Sequence, residues 1–330
     1  MNARSQRASR RQSKLIVYLL LLAGSVVFLL PFYWMVISSL KPSYAVLDFP
    51  PSWLPIPPRW ANFPESLTYV PFARYTLNTL IITVFSVIGN LLSASLVAYG
   101  FARLRAPGKN ALFLILLATM MLPYPVTMVP VFVIFSKLGW VNTFKPLIVP
   151  TFLGTPFYIF LLRQFFLTLP VELEDAARID GANTPQILGY IILPLALPAM
   201  ATVAIFTFQG TWNDFLGPLI YLNDQTHYTI TLGLSFFRST YQTNWAYLMA
   251  ASLVTMLPVV VLFFFAQRLF IEGITLTGVR AEIRDRRSEI GDWRPEIGDW
   301  VCGRTEFWRS LVCGLRSAVS LPTTNHPSSA

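Results

Sequence analysis

Residues 174–198 read EDAARIDGANTPQILGYIILPLALP. The first seven carry four charges (Glu174, Asp175, Arg178 and Asp180), and the last eleven carry none. Long apolar runs lie on either side. A short acidic element containing alanine and glycine therefore interrupts a chain that is otherwise poor in charge. Where that element sits, and what it faces, decides the architecture.

The chain has 330 residues, 54% hydrophobic and 12% charged. A soluble domain carries about 25% charged residues, so the deficit points to a membrane. Uncharged runs occupy 15–40, 75–102, 110–136, 146–162, 181–213 and 239–267. A helix needs roughly 20 apolar residues to cross a bilayer, and all but the fourth run exceed that length. The fourth, 17 residues long, falls at the short end of the range. The fifth opens inside the quoted stretch, so its membrane part begins near Leu188. In lipid every backbone polar group must be satisfied internally, which makes these runs helices. The short alternating segments of a membrane barrel are absent. The expected class is an all-α integral membrane bundle of six transmembrane helices.

Lys and Arg placement orients it. One side holds Arg4, Arg7, Arg10, Arg11, Lys14, Arg103, Arg105, Lys109, Arg163, Arg178, Arg268 and Arg280. The other holds Lys41, Arg59, Arg74, Lys137, Lys145 and Arg238. The richer side is expected to be cytoplasmic, and both termini fall on it. The basic start resembles a signal-peptide n-region, but the apolar run is too long and lacks a clear cleavage site. It reads as a retained first span after a basic N-terminus, 1–14. The net charge of +9 then follows from topology, and no basic folded face suggests a nucleic-acid partner.

The segment 41–74 contains FPPSWLPIPPRWANFPE and cannot form a regular helix through its prolines. Trp53 and Trp60 suit a membrane interface. In the third run, Pro123, Pro125 and Pro130 are expected to break the helix; Pro194, Pro198 and Pro258 interrupt the later ones. Asn78, Asn90, Gln209 and Gln267 are the amide side chains noted on the spans. No Asp, Glu, Lys or Arg falls in a span core, which argues against coupling to an ion gradient. There is no P-loop, and no metalloprotease or serine-hydrolase motif. His227 and His326 have no plausible ligand set, so neither catalytic nor metal-binding residues are assigned. The expected function is transport without an ATPase of its own.

The loop between the fourth and fifth runs supplies the missing link. Pro170 suits the first turn of a helix. Glu172, Glu174 and Asp175 favour the positive end of its dipole. Glu174 and Arg178 are spaced to pair. Gly181 can turn left-handed and end the helix. Thr184, followed by Pro185, can cap a second helix running through Leu188 into span five. The result is a helix–glycine–helix elbow, with Ala176 and Ala177 giving a smooth face.

The stretch resembles the EAA motif of ATP-binding-cassette importer permeases. Asp175, Ala176 and Ala177 stand at E-A-A; Asp180, Gly181 and Ala182 supply D-G-A; Ile192, Leu193 and Pro194 supply I-L-P. Asp175 replaces a Glu, one methylene shorter, with Glu174 beside it. RYTLNTLIIT at 74–83, LGWVNTFKPLIVP at 138–150, WNDF at 212–215, GLSFF at 233–237 and QRLFIEGITLTGVR at 267–280 resemble the carbohydrate branch, the maltose-type second permease. The similarity spans about 15–280.

That resemblance implies a type I importer fold and a bacterial cytoplasmic-membrane location. It implies three sets of protein partners: a second homologous permease subunit, a dimer of cytoplasmic ATPases carrying ATP and magnesium, and an extracytoplasmic solute-binding protein. This chain itself would hold no cofactor. The loop of about 170–190 would dock the ATPases through Glu174, Asp175, Ala176, Ala177, Asp180, Gly181 and Ala182. Asn90, Asn213 and Asp214 are candidates for the substrate path. Permeases for glycerol-phosphate-type or other solutes, an ion-coupled secondary transporter and a membrane scaffold remain as alternatives. Residues 281–330 hold a repeated EIGDW, at 289–293 and 296–300, and both cysteines, Cys302 and Cys313. They are expected to form a poorly ordered, dispensable cytoplasmic tail with reduced thiols.

Overall fold

The computed structural model describes residues 3–238 and 243–265, with side chains from Leu15 onward. The tail, its repeat, its cysteines, Gln267 and the QRLFIEGITLTGVR segment lie outside the described residues. Four helices are each long and apolar enough to cross a bilayer: Leu15–Ser39, Phe72–Arg103, Lys145–Phe166 and Trp245–Phe265. Two bent pairs join them: Lys109–Thr119 with Tyr124–Lys137, at 98°, and Thr184–Leu195 with Leu197–Trp212, at 80°. Counting each pair as one span gives the six that the sequence calls for.

Proline explains both bends. Pro123 stands in extended conformation immediately before the helix Tyr124–Lys137. It cannot donate a backbone hydrogen bond, and its ring disfavours a helical residue before it. Pro125 then falls within the first turn, where a missing amide costs nothing. Pro130, expected to break the span as well, lies inside that helix. In the fifth span the chain passes through one wide π turn at Leu188–Ile192 and leaves the helix at Ala196. Two residues on, Pro198 has no amide for the carbonyl of Pro194. The bend therefore comes well after Leu188, where the sequence reading started the membrane part. Trp245–Phe265 continues through Pro258 without a break.

Span two, Phe72–Arg103, is the axis of the bundle. It carries Thr79, Thr83, Ser86, Asn90 and Ser93 at alternating steps of four and three, all buried. This polar stripe faces a stretch of span four that is not α-helical. Val149–Leu153 form a tight 3₁₀ turn, closed by Gly154 at φ +98°. The hydroxyl of Ser93 donates to the carbonyl of Thr151 at 2.8 Å, and that of Ser86 to Leu147 at 3.5 Å. Irregular backbone survives at membrane depth when neighbouring protein satisfies it in this way. The approach requires glycine at position 89. A Cβ there would stand 2.4 Å from Thr151 Oγ1 and 2.7 Å from the Phe152 ring. On the next turns Ala94, Ala98 and Tyr99 pack with Leu162, Phe166, Ile192 and Val203, joining spans two, four and five in one core.

Most apolar side chains of the first helix point outward, Leu22, Val27 and Phe28 among them, as a bilayer requires. At its far end the connector folds back on it. Tyr33 donates to the carbonyl of Trp53 at 2.6 Å, and the ammonium of Lys41 lies 4.8 Å over the ring of Trp34. Asn62 donates to the carbonyls of Ser39 and Lys41. Apart from one 3₁₀ turn at Ser43–Val46, the connector is irregular, as its prolines dictate, until Asn62–Tyr69, which form a helix with Pro64 in its first turn. There the missing amide is harmless, so the exclusion of helix was too broad.

Candidate functional site: a charged elbow and a polar cavity

The elbow begins at Glu172, so Pro170 precedes the helix rather than occupying its first turn. Glu172–Ile179 carries three acids in the first turn and Arg178 in the last, each matched to the dipole end beside it. Gly181 turns at φ +84°, a conformation only glycine adopts cheaply. The amide of Ala182 then bonds to the carbonyl of Ala177 at 2.9 Å and closes the end. The second arm is capped by Asn183 and not by Thr184. Asn183 Oδ1 accepts from the amide of Gln186 at 3.0 Å, and Gln186 Oε1 accepts from the amide of Asn183 at 2.8 Å. Both residue types cap helices well; the Gln three residues after Asn183 decides between them.

Burial separates the motif residues into two faces. Glu174 is 1% exposed, and Ala177 points inward with it. Asp175, Ala176, Asp180 and Gly181 are exposed, and Ala182 is half-buried. Glu174, expected among the docking residues, is turned inward in this chain. Its carboxylate lies 2.9 Å from Arg103 Nε, 3.2 Å from Arg178 Nη2 and 3.3 Å from the Tyr99 hydroxyl. It belongs to the interior. Asp175 instead pairs on the surface with Arg178 at 3.0 Å. Sequence reasoning missed Ile179, whose side chain is 86% exposed beside Gly181. A large apolar group left bare at the tip of a charged turn was a signal available from the periodicity.

A cavity of about 230 Å³ opens between spans two, four and five. Thr79, Asn90, Thr155, Thr207, Thr211 and Asp214 line it with others. Asn90 accepts from Thr155 Oγ1 at 2.7 Å and donates to Thr207 Oγ1 at 3.3 Å. Asp214 lies just past the end of span five. Its carboxylate accepts from the amide of Gly217 at 3.1 Å. Burial pushes that carboxyl above its ordinary range, and the amides of Gly217 and Leu216 offset part of the rise. Asn90 and Asp214 are thus brought to one cavity. Asn213 is not among its lining residues; it is exposed and donates back to the carbonyl of Gln209. The threonines were missed, although Thr79 and Asn90 belong to the stripe on span two.

A bundle of apolar spans, with a polar cavity among them and one charged elbow exposed between the fourth and fifth, defines a multi-pass membrane permease. Residues 90–275 match the family described as binding-protein-dependent transport system inner membrane component, and the chain belongs to that family. It is 33% identical to the arabinooligosaccharides transport system permease protein AraQ of Bacillus subtilis, over 78% of this chain and 92% of that one. It is 34% identical to the diacetylchitobiose uptake system permease protein NgcG of Streptomyces coelicolor, over 81% and 89%. The melibiose/raffinose/stachyose import permease protein MelC of Bacillus subtilis is 34% identical over 83% and 99%. In fold the chain is similar to a bacterial ABC transporter that imports the acidic polysaccharide alginate, with a TM-score of 0.70, 23% identity, and 79% of this chain and 97% of that one covered. The architecture is that of a type I ABC importer permease.

Proposed function

We propose that this chain is a permease subunit of an ATP-driven importer for oligosaccharides. The carrying observation is the outward face of the elbow: Asp175, Ala176 and Asp180, with Ile179 bare beside the left-handed Gly181. Such a tip suits insertion into a cleft of an ATPase, with an apolar anchor at the centre and charges around it. The relatives named for arabinooligosaccharides, diacetylchitobiose and raffinose-type sugars support the substrate class. The excess of Lys and Arg on the elbow side supports a cytoplasmic elbow and cytoplasmic termini in a bacterial inner membrane. A second, homologous permease completes the route, a solute-binding protein delivers the sugar on the far side, and ATP with magnesium is held by the two ATPases.

In this reading, ATP-driven closure of the ATPases displaces the elbows and shifts the permease pair between two states, a rigid-body transition biased by a ligand. The cavity with Asn90, Asp214 and its threonines offers hydroxyl-compatible hydrogen bonding to a passing sugar.

The test is reconstitution of the complete importer in liposomes without an ion gradient. Uptake of a labelled oligosaccharide should require ATP inside and binding protein outside. The variant Asp175→Lys should abolish that uptake while the chain stays in the membrane. Uptake driven by an ion gradient with no ATPase present would overturn the proposal.

A further inference from the structure

Glu174 and Arg103 are charged side chains buried together, and neither contributes to the exposed face of the elbow. Arg103 is the last residue of span two and only 7% exposed along its side chain. Its Nε lies 2.9 Å from the carboxylate of Glu174. Its Nη2 donates to the carbonyls of Phe166 at 2.7 Å and Leu169 at 2.6 Å, where the helix of span four ends. One guanidinium therefore joins the end of span two, the end of span four and the elbow helix. The next contact outward extends the connection. Arg163 of span four donates to the carbonyl of Phe101 at 3.4 Å and lies 4.1 Å over the ring of Phe113 on span three.

A buried ion pair is poor evidence of stabilisation, because apolar residues of similar volume often serve as well or better. What the guanidinium supplies is a link: Nη2 is aligned on the two carbonyls that end span four, while the carboxylate of Glu174 is held at 2.9 Å by charge and not by an aligned hydrogen bond. Among the described residues, the elbow helix is otherwise held by its two chain connections and by the packing of Ala177.

We propose that Arg103 and Glu174 are positioning residues that clasp the elbow to span two. A displacement of the elbow then reaches span two directly, in parallel with the covalent path through Asn183 into span five. Span two carries Thr79 and Asn90 to the cavity, so the clasp would move one wall of the cavity as the elbow moves. This rests on the proposed role of the elbow, but it assigns Glu174 to transmission and not to docking.

The experiment uses the complete importer in liposomes, with binding protein and ATP. Three readouts are taken: co-purification of the ATPases, ATP hydrolysed, and solute taken up per ATP. The variants are Glu174→Gln, Glu174→Asp and the exchange of Glu174→Arg with Arg103→Glu. Glu174→Gln should retain the ATPases while solute per ATP falls about tenfold, within the usual range of coupling between sites. Glu174→Asp should recover part of that ratio, and the exchange should recover more than Arg103→Glu alone. A wild-type ratio of solute to ATP in assembled Glu174→Gln importer would overturn the clasp. So would loss of the ATPases from that variant, which would place Glu174 in docking. Failure of the unaltered chain to hold ATPases would instead overturn the proposed function.

Discussion

The elbow end and the bundle interior solve the same problem with different chemistry. At the elbow end, the acidic Glu174 and the basic Arg103 and Arg178 are paired at 2.9 and 3.2 Å, two of the three buried. Along span two, Thr79, Ser86, Asn90 and Ser93 are neutral, and each meets a carbonyl, an amide or a hydroxyl. A charge at membrane depth costs several kcal/mol even after relaxation. A hydroxyl with a partner costs far less. Irregular backbone is tolerated where a group suited to its depth covers it. Deep in the bundle it uses hydroxyls to cover the broken turn of span four. Only at the mouth, near water, does it use a guanidinium to gather the carbonyls of Phe166 and Leu169.

The largest effect is expected from Arg103→Met. It would leave Glu174 buried with Arg178 and Tyr99 for company, and would free two helix-end carbonyls. Removing one partner of a buried pair costs about 3–5 kcal/mol. The expected outcome is a large fall in melting temperature in detergent and poor recovery of the purified chain. A melting curve that coincides with that of the unaltered chain would show that the elbow end does not depend on its charge.

Gly89→Ala tests the other region and should rank next. The added methyl would meet Thr151 Oγ1 at 2.4 Å and the Phe152 ring at 2.7 Å. Overpacking of this kind costs about 1–3 kcal/mol. It should also lengthen the contact from Ser93 to the carbonyl of Thr151. Thermal unfolding of Gly89→Ala beside Ser93→Ala would separate the steric part from the hydrogen bond. If Gly89→Ala were neutral, the close approach of spans two and four would not be what shapes the interior.

The sequence showed one of these regions better than the other. Composition and six uncharged runs were enough for a six-span bundle, because hydropathy reports directly on lipid. The elbow was legible because its signals are local: acids in a first turn, a left-handed glycine and a cap. The inward turn of Glu174 was not legible. Glu174 and Asp175 are adjacent acids of similar chemistry, and the partners that distinguish them, Tyr99 and Arg103, stand 75 and 71 residues away in the chain. Arg103 had been read solely as a marker of topology. The stripe from Thr79 to Ser93 was legible in principle. Its steps of four and three are the signature of one helix face, yet only Asn90 was taken from it, since a lone threonine in an apolar helix readily bonds its own backbone. Which carbonyls the stripe covers depends on a break in span four, marked by Pro150, Gly154 and Pro156, that a reading by charge-free length alone passes over.

Gly181→Ala should have a smaller effect on stability and a specific one on transport. A Cβ there meets nothing within 4 Å, but φ is +84°. The cost is backbone strain alone, about 1 kcal/mol. Gly108, at φ +74° and equally open, provides a matched control away from the elbow. Both substitutions should lower the melting temperature by similar small amounts. Only Gly181→Ala should reduce ATP-driven uptake, because only there does relief of strain redirect the exposed face. Equal loss of uptake in both would mean that the elbow has no special geometric demand.

The far end adds a third arrangement, an exposed ion pair, and predicts the smallest effect. Glu65 accepts from the Tyr247 hydroxyl and pairs with Arg59 at 3.0 Å, with both charged groups well exposed. The hydrogen bond from Tyr247 is the main reason its carboxyl lies below the ordinary glutamate range; Arg59 adds to it, and partial desolvation opposes it. A lowered carboxyl stabilises the folded state fully above the unfolded value, about 4.3, and that contribution fades as pH falls through the folded value. Tyr247→Phe should therefore melt slightly below the unaltered chain at pH 7 and at pH 5. The gap should begin to narrow as pH falls below about 4.3 and vanish only below the lowered folded value, where Glu65 is protonated in both states. Added salt should narrow it at pH 7 as well, because exposed charges are screened over about 10 Å at 0.1 M. The buried pair at the elbow should respond to salt much less. If the two ends answered salt alike, burial would not be what distinguishes them, and the partition of charge to the mouth and hydroxyls to the interior would lose its physical basis.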